Sequence, residues 1–443
     1  MSQLSAALFH STLIWALLVA SLALLPLLFR RPAGRIVVLG VIDQGAMFGL
    51  AALLALPIIS PFPIDPFKLI PAIAIELFCI LLFVVSGLRI VRFMRSRKAI
   101  VDDRAIALLI LAKLGFFALN YAAAGGQYGI FSDDSRIDFL TLSPTISKTR
   151  YLDGLIDFVV LLNVGARCIS ARRVRLFDAA AVLAINAFGF LTGSKGGTLL
   201  LMAYAMLFLY VAFPKAFSSR TKAIIVAILV FMIFAYMVFL STVLQVTLEE
   251  LLNLSLARFV LSADARIMSF DPNVTSYVLS QPHGTLLAEL FRGVSRAIGA
   301  PVAEFTMGIY QFEAELGTSN FVGSTSQLSA LFVTYGGDFW LGEFMVVAGV
   351  VLAAFKLFSM CLQSRSPALA WAAAASLYQL NTTLPQGFEA YVQLLPICVI
   401  VVLVFWAFRR RLARRRPDPP AKSPHGVEPV APSIQPGIDP NCL

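Results

Sequence analysis

What this chain can fold into is constrained most by runs of apolar residues, each roughly 18–24 long, that repeat along most of it. A helix needs about 20 such residues to cross a hydrocarbon core about 30 Å thick. Eleven runs qualify as candidate spans: 6–28, 36–59, 69–91, 105–123, 151–168, 176–193, 196–213, 223–244, 338–360, 367–384 and 388–408. The sixth is short and passes directly into Gly193-Ser194-Lys195-Gly196-Gly197. Charged residues make up 14% of the 443 positions, against about 25% in a soluble domain. The runs therefore read as membrane helices, not as the cores of two or three soluble domains. The first is too long, and lacks the basic flank, for a cleaved signal peptide.

Short loops rich in Lys and Arg mark the cytoplasmic side. Such residues follow the first span (Arg30, Arg31, Arg35), the third (Arg89 to Lys98), the fifth (Arg167 to Arg175) and the seventh (Lys215, Arg220, Lys222). Lys356 and Arg365 bracket the turn after the ninth, and Arg409 to Arg416 follow the last. Every odd-numbered span then ends on the basic side, which predicts an outer N-terminus and a cytoplasmic C-terminus.

The same placement explains the net charge of +10 without nucleic acid as a partner: the cations anchor topology and meet anionic lipid. Beyond Arg416 a Pro-rich polar tail runs to Leu443 and reads as disordered. Cys79, Cys168, Cys361, Cys398 and Cys442 map to spans or the cytoplasmic side, and His10, His283 and His425 are scattered, so no metal-binding spacing is present. The expected organisation is a membrane domain at 1–244, an outer helical loop at 245–337, a second membrane domain at 338–408 and the basic tail at 409–443.

Chemistry is expected outside the membrane. One outer segment, 125–150, carries Asp133, Asp134, Arg136 and Asp138. The long one, 245–337, carries Arg258, Asp264, Arg266, His283, Arg292, Arg296, Glu304, Tyr310, Glu313 and Glu315. Helical apolar spacing marks 248–261 and 284–298, with a stop at Asp271-Pro272-Asn273. Arg258 and Arg266 are eight apart and Arg292 and Arg296 four apart, so each pair falls on one helix face. These arginines either build a cationic pocket or pair as surface charges with the eight acidic residues of 245–337. Gly193-Ser194-Lys195-Gly196-Gly197 opens a helix whose N-terminus and lysine suit an anionic phosphate, or else forms a tight hairpin with a snorkelling lysine. Within spans lie Asp43, Glu76, Lys113, Asp157 and Asp178, which are costly in lipid and expected to pair, with a proton relay as the alternative role. Lys113 can pair with Glu76 or Asp157.

Two stretches carry a family resemblance. Phe190-Leu-Thr-Gly-Ser-Lys-Gly-Gly opens one helix, and Phe321-Val-Gly-Ser-Thr-Ser-Gln-Leu-Ser-Ala-Leu-Phe-Val-Thr-Tyr-Gly-Gly-Asp-Phe-Trp-Leu-Gly-Glu leads into another. Together with the topology they resemble the O-antigen polymerases, the Wzy-type polymerases of oligosaccharide repeat units. Tyr335-Gly336-Gly337 departs from that family by placing glycine close behind the tyrosine.

The resemblance implies an all-α polytopic membrane protein with about eleven spans and a long helical periplasmic loop, a GT-C-like or polymerase–ligase-like fold in a bacterial inner membrane. It implies a glycosyltransferase that moves a glycan from one undecaprenyl diphosphate to the sugar of another lipid-linked unit. Donor and acceptor would be undecaprenyl-diphosphate-linked oligosaccharides, with a chain-length regulator as a further partner and no cofactor or metal. Lys195, Arg258, Arg266, Arg292 and Arg296 are then candidates to hold the diphosphate. Asp264, His283, Glu304 and Glu313 are candidates for the catalytic base. Tyr310 and Tyr335 are candidates to stack on sugars. Alternatives are an O-antigen ligase-like transferase, a metal-dependent transferase using Asp133-Asp134, a flippase or transporter for the same lipid, and a structural assembly partner.

Overall fold

The computed structural model describes residues 46–61, 63–96, 101–126, 144–192, 195–219, 264–316 and 327–414, with scattered positions between 227 and 250. All regular structure among the described residues is helical. Five helices are long and apolar enough to cross a membrane: Pro66–Arg95, Asp103–Ala123, Leu152–Ala171, Trp340–Leu362 and Phe388–Ala407. This is the make-up of a helical membrane protein. The expected first span, most of the eighth and the tail beyond 414 lie outside the described residues.

In chain order the helices are α1 (Ala46–Ile59), α2 (Pro66–Arg95), α3 (Asp103–Ala123), α4 (Pro144–Ala171), α5 (Leu176–Leu191) and α6 (Lys195–Ala212). Then come six short helices: α7 (Asp264–Met268), α8 (Pro272–Ser280), α9 (Leu286–Leu290), α10 (Arg292–Ala297), α11 (Met307–Leu316) and α12 (Leu328–Tyr335). Three long ones follow: α13 (Trp340–Leu362), α14 (Pro367–Thr383) and α15 (Phe388–Arg414).

α2 is the longest. Asp65 caps it by accepting from the Phe67 N–H, and Pro66 sits at its first position, where a missing N–H costs nothing. Its buried residues Ile75, Glu76, Cys79, Leu82, Phe83, Ser86, Ile90 and Val91 recur at helical spacing and form one inward stripe. At 30 residues it is about 45 Å long, well beyond the thickness of the core. At its C-terminal end Arg95 donates from Nε to Ala212 O and from Nη2 to Val211 O, both at 2.9 Å, and so satisfies two open carbonyls of α6.

α14 is the centre of the bundle. Small residues Ala372 to Ala375 are buried and let neighbouring helices come close. Near its start Trp371 meets Phe93 edge-on at 5.1 Å, and later Tyr378 stacks on Phe158 at 4.3 Å. Asn381 Nδ2 donates to Ser86 Oγ at 2.6 Å. Ser86 is nine residues from Arg95, about 14 Å along α2, so α14 stops about a third of the way along that helix. The turn Leu384–Gln386 therefore lies deep in the bundle, with about 30 Å of α2 rising beyond it.

α12 packs into that space. Its residues Leu328 to Thr334 are all buried, as expected of a helix that meets protein on every side. The last part of the expected outer loop thus enters the bundle. The expected helix at 284–298 is instead two short helices joined at Phe291, whose ring packs edge-on against Phe388 at 5.2 Å.

Candidate functional site

The segment 264–316 and α12 meet the deep end of the α14–α15 hairpin, and the polar residues there form two clusters. The first is built on Arg266 in α7. Its Nε donates to Glu76 Oε1 at 2.5 Å and its Nη2 to Oε2 at 3.2 Å. Ser329 Oγ, from α12, donates to the same Oε1 at 2.6 Å. Both charged side chains are 3% exposed, so the guanidinium is committed to a protein carboxylate. Glu76 pairs with Arg266, and Lys113 with Asp157, which resolves the choice the sequence leaves for Lys113.

The second cluster holds the loop 300–306 in place. Arg292 is buried; its Nη1 donates to Phe305 O at 2.6 Å and to Glu289 Oε2 at 3.3 Å, and its Nη2 donates to Ala303 O. Arg296, which is exposed, donates from Nη2 to Glu304 O at 2.5 Å and Ala303 O at 3.2 Å. Glu289 Oε1 accepts from Ala303 N at 2.6 Å, and Tyr310 OH accepts from Phe305 N at 3.3 Å. The expected shared face of Arg292 and Arg296 is thus realised, and it grips backbone carbonyls. Burial draws the Arg292 guanidinium below its ordinary value, against the opposing pull of Glu289.

His283 borders this cluster. Its Nδ1 lies 2.8 Å from Gly284 O. A carbonyl only accepts, so Nδ1 carries a proton and donates to it, which leaves Nε2 as the other ring nitrogen. The ring is exposed and packs against Tyr335 with centroids 5.1 Å apart. A side chain at 284 would collide with Pro301 O, so glycine is required for the chain to approach this closely. The hydroxyl of Tyr335 is buried and has no hydrogen-bond partner among the described residues. Burial, then the nearby Glu289 carboxylate, raises its phenol well above the ordinary tyrosine value.

Of the other expected site residues, Tyr310 joins the loop clamp, and several stand outside what is described. Glu304 is exposed, and its backbone carbonyl accepts from Arg296. Glu313 accepts from the Tyr277 hydroxyl, which burial and then this carboxylate shift upward. Tyr310 is buried beside Phe305 at 5.9 Å, inside the loop clamp. Asp264 opens α7 and Lys195 opens α6, but their side chains lie outside the described residues, as does Arg258 entirely. Asp133 and Asp134 lie outside them too.

Two residues join the site that the sequence reading passed over. Glu289 holds Arg292 and Ala303 together. Glu389, in the first turn of α15, accepts from Gln393 Nε2 at 3.2 Å and lies within electrostatic reach of Arg292 and Arg296. Its place at the very start of an apolar run was the one available signal. No group of three metal-ligating side chains occurs among the described residues. Chemically the arrangement can accept a proton at His283 Nε2 and present Arg296 as an exposed cation. Comparison of the chain with protein-family models, with curated proteins and with solved structures finds no match in any of the three.

Proposed function

We propose that this chain polymerises lipid-linked oligosaccharide repeat units on the outer face of a bacterial inner membrane. The proposed enzyme has eleven spans, a periplasmic N-terminus, a cytoplasmic C-terminus and a GT-C-like or polymerase–ligase-like fold. The observation that carries it is the placement of His283: Nδ1 donates to Gly284 O, Nε2 has no hydrogen-bond partner among the described residues, and the ring packs against Tyr335. An outer-loop base held this way over a deep hairpin suits a hydroxyl delivered on a lipid carrier.

In the proposed step His283 Nε2 takes the proton of the acceptor sugar hydroxyl. The freed oxygen bonds to the anomeric carbon of the donor, and the bond from that carbon to the diphosphate oxygen breaks. The electron pair leaves on undecaprenyl diphosphate, and cations beside it lower the barrier. Arg296, Lys195 and Arg258 are the proposed grip on that diphosphate. Arg266 and Arg292 act as positioning residues, because Glu76, Glu289 and backbone carbonyls already use them. Tyr335 orients the acceptor sugar.

The test is the purified full chain in vesicles with a defined undecaprenyl-diphosphate oligosaccharide. A ladder of chain lengths is expected, and His283→Gln should cut its rate by about 10²–10⁴-fold. Transfer to lipid A core without a ladder would favour the ligase reading. Movement of the substrate across the bilayer without new bonds would favour the transporter reading.

A further inference from the structure

A different polar group lies inside the bundle, and it does not depend on the reading above. α3 buries only Ile106, Lys113 and Asn120, seven residues apart, which puts them on one stripe. That stripe faces α4, where the two helices are joined twice. Arg167 donates to Asp103 at 2.5 Å, and Lys113 Nζ lies 2.5 Å from Asp157 Oδ1. Each helix covers ten residues between the two joints, as an antiparallel pair requires. Lys113 and Asp157 are therefore about 15 Å from the Asp103–Arg167 end, at the middle of a hydrocarbon core.

Asp153 stands one turn from Asp157 on the same helix face. Its Oδ1 is buried without a hydrogen-bond partner among the described residues. The charged groups that act on it are Lys113 and Asp157. α14 brings Tyr378 and Gln379, with the Gln379 amide against the neighbouring Gly154, and α6 brings Tyr204. On α5 the carboxylate of Asp178 is held by Arg167 and Arg175, fourteen or more residues along the chain from Asp153. Two carboxyls thus share one cation. Lys113 neutralises Asp157, and a second carboxylate at this depth would leave a net charge where charge is most costly.

We propose that Asp153, Asp157 and Lys113 form a proton-binding site inside the bundle, in which Asp153 holds one exchangeable proton. Asp153 then sits as a neutral acid beside the Lys113–Asp157 pair.

Dicyclohexylcarbodiimide tests this on the full-length protein in detergent. A protonated carboxyl in an apolar site adds its oxygen to the carbodiimide carbon and its proton to nitrogen, and the adduct rearranges to a stable N-acylurea. Peptide mass spectrometry should find the label on Asp153 at neutral pH, at least about tenfold above Asp157 and the exposed Asp65. Asp157→Asn should free Lys113 to pair with Asp153, ionise it, and lower its labelling at least about tenfold. Asp153→Asn should remove the label without changing the elution profile. An unlabelled Asp153 in the unmodified protein overturns the proposal, and this arm decides alone should Asp157→Asn fail to fold. Protection of Asp153 by sodium ions at fixed pH also overturns it, in favour of a metal cation. None of these readouts uses polymer formation, so the outcome is separate from the fate of the polymerase reading.

Discussion

Arg266 donates to both carboxylate oxygens of Glu76, a residue 190 positions earlier in the chain, and Ser329 completes the set from 253 positions away. Three remote segments, α2, α7 and α12, are thereby fastened at one buried point. Glu76 lies nineteen residues from Arg95, about 28 Å along α2, a separation close to the thickness of a hydrocarbon core.

Cutting one half of this pair leaves the other as a buried lone charge. Glu76→Ala or Arg266→Ala should each destabilise the protein by about 3–5 kcal/mol, read as thermal unfolding in detergent. The double replacement Glu76→Leu with Arg266→Met should recover most of that loss. A stable Arg266→Ala variant that has lost only substrate binding would instead make Arg266 a ligand for the diphosphate.

Tyr335→Phe separates stability from activity. The hydroxyl is buried without a described partner, so its removal should leave unfolding unchanged or raise the midpoint slightly. Polymer formation should fall if the hydroxyl orients a sugar. The phenol is also raised in the folded state, so the folded chain binds more protons than the unfolded one above pH about 10. Stability should decline as pH rises past that value, and the Phe variant should decline less over the same window.

Gly284→Ala places a methyl group against Pro301 O. Backbone must shift to admit it, at a cost of about 1–3 kcal/mol, and the His283 ring should move with it. Turnover should therefore drop far more than lipid-substrate binding, which separate kcat and KM measurements resolve.

Arg292→Lys should be poorly tolerated although it keeps the charge. The planar guanidinium reaches Phe305 O, Ala303 O and Glu289 at once, and an ammonium has no such fork. Limited proteolysis should find the 300–306 loop cut faster in this variant than in the unmodified protein.

The helical membrane character was legible because length and hydropathy alone decide whether a helix can cross a bilayer. The runs beginning at 69, 105, 151, 338 and 388 each reappear in a long apolar helix. Pairing of the intramembrane charges Glu76, Lys113, Asp157 and Asp178 was equally legible, since an isolated charge there is too costly to persist, while Asp43 lies outside the described residues. Which charge takes which partner was not. Lys113 could reach Glu76 or Asp157 on sequence grounds, and helix register selected Asp157.

The arginines of 245–337 show the same division. Sequence placed Arg292 and Arg296 on one face, because helical spacing is local. It could not show that Ala303 O, Glu304 O and Phe305 O would fill that face, nor that Glu76 would claim Arg266, since those acceptors arrive only through chain folding over long separations. His283 and Tyr335 are 52 positions apart and meet only because α12 descends into the bundle above the short α14. Membrane character and the inventory of ionisable groups were thus properties of the chain written out in one dimension. Which of those groups stays available for chemistry was decided by tertiary packing, because buried donors and acceptors must be satisfied by whatever the fold brings within reach.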